Sequence, residues 1–126
     1  MRFLIFETDV VTRGVLTDVL SSIGTCVTVD NVAEAHRYYR KNDYDLVTID
    51  VDGPAEAIAL LERVHQHGGR TLVTTQREDV EHIVSSLRRG GHGYLLKPVT
   101  TADELLDQLE KMELATTRRV PSIVAS

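Results

Sequence analysis

Five short apolar runs, each followed by a stretch of helical periodicity, divide this chain, and that alternation restricts its fold more than any other feature. Strands and helices in strict alternation form βα units, whose strands lie parallel with helices on both faces of the sheet. Arg2–Phe6 reads as the first strand. Val11, Val15, Leu16, Val19, Leu20 and Ile23 then recur at helical spacing, with Gly24 as the stop signal. Gly14 inside this helix costs up to about 1 kcal/mol against alanine, an expense tolerated where packing is tight. Thr25–Val29 is a second strand, and Asp30 or Asn31 caps a helix ending near Lys41. Leu46, Val47 and Ile49 form a third strand with Asp50 at its tip. Its lack of polar alternation predicts a central position buried on both faces. Pro54 suits the first turn of the next helix, marked by Ile58, Leu61 and Val64 and ended by Gly68-Gly69. Residues 70–75 form a fourth strand, and Val80, Ile83, Val84 and Leu87 a fourth helix broken at Gly90-Gly91. Residues 92–96 form a fifth strand. The last helix opens at Thr100 or Thr101, with Asp103 and Glu104 at its positive end and Leu105, Leu109 and Met112 inward.

The expected architecture is an α/β doubly wound five-stranded parallel sheet. In such sheets ligands bind beyond the carboxyl ends of the strands, where the strand order reverses. The 126 residues and 42% hydrophobic content suffice for one domain. That domain is expected over residues 1–113, followed by a flexible tail over 114–126, where helical patterning lapses around Arg118-Arg119-Val120-Pro121. A net charge of -5 with no Lys/Arg stripe argues against a nucleic-acid partner and for a protein one. Apolar runs of this length are too short to span a membrane, and the N-terminus lacks a leader's apolar core and cleavage site. Cys26 is the single cysteine; it reads as a small buried hydrophobe in a reducing cytoplasm. His36, His65, His67, His82 and His92 show no metal-ligand spacing, and Asp103, Glu104 and Asp107 read as a solvated face.

Three strand tips carry the chemistry. Asp50 ends the third, Thr74 and Thr75 end the fourth, and Gly93-Tyr94-Leu95-Leu96-Lys97-Pro98 places a lysine at the end of the fifth. Carboxylate, hydroxyl and ammonium at one sheet edge supply what phosphoryl chemistry needs: a nucleophilic oxygen, a donor and a fixed positive charge.

These motifs, with Asp45-Leu46-Val47-Thr48-Ile49-Asp50 and the 22 residues from Thr75 to Lys97, resemble the receiver domain of bacterial two-component response regulators. The resemblance implies a flavodoxin-like sheet of order 2-1-3-4-5. It implies that Asp50 takes a phosphoryl group from a histidine kinase or phosphotransfer protein, and that Lys97 and Thr75 contact the phosphoryl oxygens. Tyr94 would rotate inward as Thr75 moves, and the Lys97-Pro98 bond would be cis. Mg²⁺ is the implied cofactor, held by Glu7, Asp50 and the main chain near Asp52. The family's second acid after strand one is Thr8 here, which puts metal affinity in question; Glu7 and the Asp52 side chain are the candidate compensators, and Asp9 reads as an N-cap. Asp52 and Gln76 flank the path of an attacking water and would tune phosphoryl lifetime. The segment after Pro54 is one residue shorter than the family's.

The expected function is a single-domain receiver that signals by contact with a downstream protein, not a turnover enzyme. A homodimer through the face of the fourth helix, fifth strand and fifth helix is compatible with the resemblance. One alternative is a pseudo-receiver that binds partners without phosphoryl chemistry. A weaker one is a haloacid-dehalogenase-like phosphatase, suggested by Asp50-Val51-Asp52-Gly53 but lacking its strand position and its later acidic pair.

Overall fold

Parallel pairing in matched register brings the carboxyl ends of the central strands level. The computed structural model describes residues 1–53, 55–78, 80–88 and 92–114, without the side chains of Val80, His82 and Ile83. It contains β1 (Arg2–Phe6), α1 (Val10–Ser21), β2 (Thr25–Val29), α2 (Val32–Lys41), β3 (Leu46–Asp50), α3 (Glu56–Gln66), β4 (Thr71–Thr75), α4 (Val80–Arg88), β5 (Gly93–Leu96) and α5 (Ala102–Lys111). The sheet order is β2-β1-β3-β4-β5, all parallel. Pro54, Gly90, Gly91 and residues 115–126, expected to start a helix, break one and form a tail, lie outside the described residues. So do the expected core-facing side chains of Val80 and Ile83.

Successive strand residues point to opposite faces, so each central strand feeds two cores. Phe3 and Ile5 pack with Leu16 and Leu20 of α1 and Leu105 and Leu109 of α5. Leu4 and Phe6 pack on the other face with Val47, Ile49 and the α3 residues Leu60, Leu61 and Val64. Every residue of β3 is buried, as its lack of polar alternation predicts for a central strand, and every residue of β4, three threonines included, is buried as well. Each such leucine or phenylalanine withdrawn from water stabilises the fold by roughly 1.5–3 kcal/mol. Leu114 belongs to the α1/α5 core as well. Cys26 is a free, half-buried cysteine beside that core, where burial raises its pKa. Among the described residues no helix is long and apolar enough to cross a membrane.

The helix starts follow their capping chemistry. Asp9 caps α1 by accepting from the Thr12 amide, and Asn31, rather than Asp30, caps α2 by accepting from the Glu34 amide. Thr101 occupies the N-cap of α5 but makes no side-chain cap bond. Two expectations about α1 need correction. Val11 is 54% exposed, and Thr12, Leu16 and Leu20 form the buried stripe instead. Apolarity placed Val11 inside, but the i, i+4 row that contains the two leucines passes through Thr12. Nor does tight packing explain Gly14, because a Cβ there would have nothing within 4 Å. In α3, Ala57 and Leu60 complete the inward face, while Ile58 is only partly buried.

The two glycines of this region should therefore respond oppositely to alanine. Gly14→Ala is expected to raise stability by about 0.4–1 kcal/mol, because alanine restricts the unfolded chain and favours helix. Gly24→Ala should lower it, since the new Cβ would lie 2.5 Å from the Met1 carbonyl oxygen and 2.7 Å from the Phe3 ring. Urea-denaturation midpoints of the two variants check both signs.

Candidate functional site

Register assembles the site. Phe6 is level with Ile49, Asp50 with Thr74, and Thr75 with Leu96. Glu7, Asp50, Thr74, Thr75 and Lys97 consequently leave the sheet at one edge, as the three strand tips were expected to do. Glu7, Asp50 and Thr75 have no solvent exposure, and Lys97 is 8% exposed.

The Lys97 ammonium lies among three carboxylates, 3.0 Å from Glu7 Oε2, 2.9 Å from Asp50 Oδ1 and 3.5 Å from Asp52 Oδ2. Further donors hold each acid. Asp50 Oδ2 accepts from both the amide and the hydroxyl of Thr8, at 3.2 and 2.5 Å. Asp50 Oδ1 also accepts from the Asp52 amide at 3.0 Å. Glu7 Oε1 accepts from the Thr74 hydroxyl, and Oε2 from the Asp9 amide. Asp52 accepts from the Thr75 hydroxyl and the Gln76 amide, each at 2.5 Å. The Lys97-Pro98 bond is cis, and beyond it the Val99 amide donates to Thr12 Oγ1, whose own proton goes to Asp9. This chain of bonds ties the loop after β5 to the start of α1.

Burial and hydrogen bonding pull the carboxyls apart. Burial pushes Asp50 up, but the bonds from Thr8 and Lys97 outweigh it and hold its pKa below the ordinary aspartate value. Glu7 goes the other way: burial and the neighbouring Asp50 charge raise its pKa despite the help of Thr74 and Lys97. Burial lowers the Lys97 pKa, yet its bonds to Asp50 and Glu7 leave it raised overall. Asp50 is therefore ionised at neutral pH.

The expected residues converge, with some in different roles. Thr75 directs its hydroxyl to Asp52, not to Asp50, and accepts from the Arg77 amide. Gln76 contributes its main-chain amide. Tyr94 is 39% exposed on β5. Three contributions had no place in the sequence expectations. Thr8, counted only as a missing acid, is a double donor to Asp50. Thr74, passed over for Thr75, points to the opposite side of β4 and reaches Glu7, as strand alternation requires. Thr12 could have been found as a polar residue on the Leu16–Leu20 row, three residues after an N-cap.

A buried carboxylate–ammonium pair at the tips of a 2-1-3-4-5 parallel sheet defines a flavodoxin-like receiver. The chain belongs to the family of response regulator receiver domains, whose family model matches residues 3–110. It is 31% identical over 109 residues to the transcriptional regulatory protein CusR of Escherichia coli (strain K12), covering 83% of this chain and 48% of that protein. The chain thus spans about half the length of the curated relatives it matches. Among solved structures, a Thermotoga maritima response regulator superposes with a TM-score of 0.78 at 24% identity, covering 91% of this chain and 98% of that one. A CheY-like receiver domain protein from Methanospirillum hungatei JF-1 gives 0.75 at 23%, covering 88% and 91%. These two share the fold.

Receiver domains generally bind Mg²⁺ in their acidic pocket. Glu7, Asp50 and Asp52 offer the hard oxygens that Mg²⁺ prefers. Their arrangement nevertheless does not fit the ion, because all six carboxylate oxygens already accept a donor and an ammonium lies between them. Among the described residues no three His, Cys, Asp or Glu side chains are grouped to hold a metal ion.

Removing the ammonium should expose the cost of burying these acids. Lys97→Met is expected to lose about 3–5 kcal/mol near neutral pH, because Glu7 and Asp50 are left without a buried counter-charge. The deficit should shrink in mild acid as Glu7, whose pKa is raised, takes up a proton ahead of Asp50. In the unaltered chain the Lys97 contribution is complete below the unfolded lysine pKa and fades as pH rises through its higher folded value. The Asp50 contribution is present above the unfolded aspartate pKa and fades as pH falls through its lower folded value. Urea unfolding of both proteins across pH tests the signs.

Proposed function

We propose that Asp50 accepts a phosphoryl group from a histidine kinase or phosphotransfer protein, and that the modified chain signals by contact with a downstream protein. The observation that carries this reading is the ionised Asp50 carboxylate held 2.9 Å from the Lys97 ammonium in a member of the receiver family. In the transfer, an Asp50 oxygen forms a bond to phosphorus while the donor's phosphorus–nitrogen bond breaks and its electron pair leaves with the imidazole. No proton leaves Asp50. Lys97 neutralises charge spreading over the phosphoryl oxygens, which is the main work a protein does in such a step. Hydrolysis later returns the carboxylate and inorganic phosphate, with Asp52 and Gln76 beside the path of the water.

The output reading rests on charge and exposure. The modification replaces the single charge of the Asp50 carboxylate with an acyl phosphate of about two negative charges, a net gain of about one together with three new acceptor oxygens, enough to bias a two-state arrangement of the nearby loop. Thr75 and Tyr94 are the proposed switch residues. Tyr94 and Leu96 on β5 and Val84 on α4 leave 39%, 37% and 36% of their surface exposed. They make that face the proposed protein-contact surface, for a target or a second copy. A cytoplasmic location belongs to the same proposal, in keeping with a single, free cysteine.

A second reading is a pseudo-receiver that binds partners without phosphoryl chemistry. The full set of bonds on the three acids and the threonine at position 8 favour it. The phosphatase reading is disfavoured because Asp50-Val51-Asp52-Gly53 ends the central strand β3 rather than β1.

Intact mass measurement after incubation with acetyl phosphate should show one phosphoryl adduct that is absent in Asp50→Asn; an unlabelled chain at every Mg²⁺ concentration would transfer preference to the pseudo-receiver. Metal affinity should be weak and restorable. Thr8→Asp trades two hydrogen-bond donors to Asp50 for one donor and a carboxylate, and should tighten Mg²⁺ binding about tenfold or more by calorimetry.

A further inference from the structure

The donors that a phosphoryl group on Asp50 would need already hold another anion. The Thr75 hydroxyl donates to Asp52 Oδ1 and the Gln76 amide to Asp52 Oδ2, both at 2.5 Å. The Lys97 ammonium lies 3.5 Å from that same Oδ2. A hydroxyl, a main-chain N–H and a fixed cation, drawn from the ends of two adjacent strands, form the kind of donor set that binds an oxyanion. Here it surrounds the carboxylate two residues beyond the acceptor.

Position strengthens the point. The side chains of Glu7 and Asp50 have no exposure and that of Lys97 has 2%, whereas that of Asp52 has 20%. Asp52 is the outermost charged group of the cluster and is linked to the acceptor itself, since its amide donates to Asp50 Oδ1. With Asp52 in place, an incoming phosphoryl group would find Thr75 and Gln76 taken and would add its charge beside a third carboxylate, a repulsive arrangement at these distances.

We propose that Asp52 is a built-in competitor for the anion seat of this site: its carboxylate occupies the donors meant for a phosphoryl group and must release them before the group can be held. This rests on the reading of Asp50 as acceptor and assigns Asp52 a positioning role, acting through Thr75, Gln76 and Lys97. Its consequence is that the residue sets both the affinity of the site for tetrahedral oxyanions and the rate at which Asp50 is labelled. It also means that the unmodified chain holds the end of β4 in an anion-bound arrangement.

The test compares the full chain with Asp52→Asn and Asp52→Ala, neither of which removes a core side chain; thermal melting confirms that each is folded. Beryllofluoride is titrated at fixed Mg²⁺ while the Gln76 amide is followed by NMR, and labelling by acetyl phosphate is timed by intact mass. Both variants should bind beryllofluoride about tenfold or more tightly, the size of one charged hydrogen bond, and should be labelled faster by a similar factor. A merely structural Asp52 would shift the melting curve without moving anion affinity. Equal or weaker binding in both variants, with the unaltered chain labelled, would overturn the inference and leave the acceptor reading standing. Silence of all three proteins toward both probes would remove the acceptor reading and this inference with it.

Discussion

One ammonium holds the site together. Lys97 lies within 3.5 Å of three carboxylates, two of them with no solvent exposure, so its charge is the main offset to the repulsion of the converging acids. Bringing Glu7 and Asp50 out of water costs several kcal/mol for each ion, and mutual repulsion adds to it. The protein offsets this with the ammonium and with donors on both oxygens of each acid. The result is a closed network that joins β1, β3, β4 and β5 by side chains exactly where the sheet's main-chain pairing ends.

How the remaining charge is carried separates Glu7 from Asp50. Both are buried, yet Asp50 receives two bonds from Thr8, one from the Asp52 amide and one from Lys97, whereas burial dominates at Glu7. The pKa of one falls and that of the other rises. Asp50 keeps its charge, and a neighbouring carboxyl that more readily takes a proton lessens the repulsion around it. Thr8 thus does more than fall short of the acid expected at its position. Its amide and hydroxyl both donate to Asp50, which stabilises the ionised form.

The strands and the meeting of Asp50, Thr75 and Lys97 at one sheet edge were legible because each depends on local pattern: apolar runs, glycine stops and fixed spacing between strand tips; the strand order came only with the resemblance those motifs carry. Asp9 and Asn31 were legible as caps for the same reason. What escaped was the partnering of hydroxyls. Thr8, Thr12, Thr74 and Thr75 all end in one rotatable donor, and nothing in the sequence says which carboxylate it will meet. Strand alternation separates Thr74 from Thr75 but does not reveal that the first reaches Glu7 and the second Asp52. Val11 failed for a related reason, since hydropathy alone cannot tell which of two adjacent helix positions lies on the buried row.

The bond between Thr75 and Asp52 also bears on how a signal could leave the site. Thr75 is level with Leu96, and the Lys97 amide donates to the Thr75 carbonyl at 2.7 Å, so the threonine and the lysine are joined by main chain as well as through Asp52. Whatever takes the Thr75 hydroxyl therefore acts on the end of β4 next to the strand that carries Tyr94. An anion arriving at Asp50 can alter that end only by making contacts that differ from those already present, because a ligand shifts an equilibrium no further than its differential affinity for the two states allows. With a carboxylate already on Thr75 and Gln76, the difference lies in charge, reach and attachment: Asp52 is tethered two residues from Asp50, while a phosphoryl group would be bonded to Asp50 itself and would carry more negative charge. A change in output must come from that difference rather than from the simple filling of an empty seat.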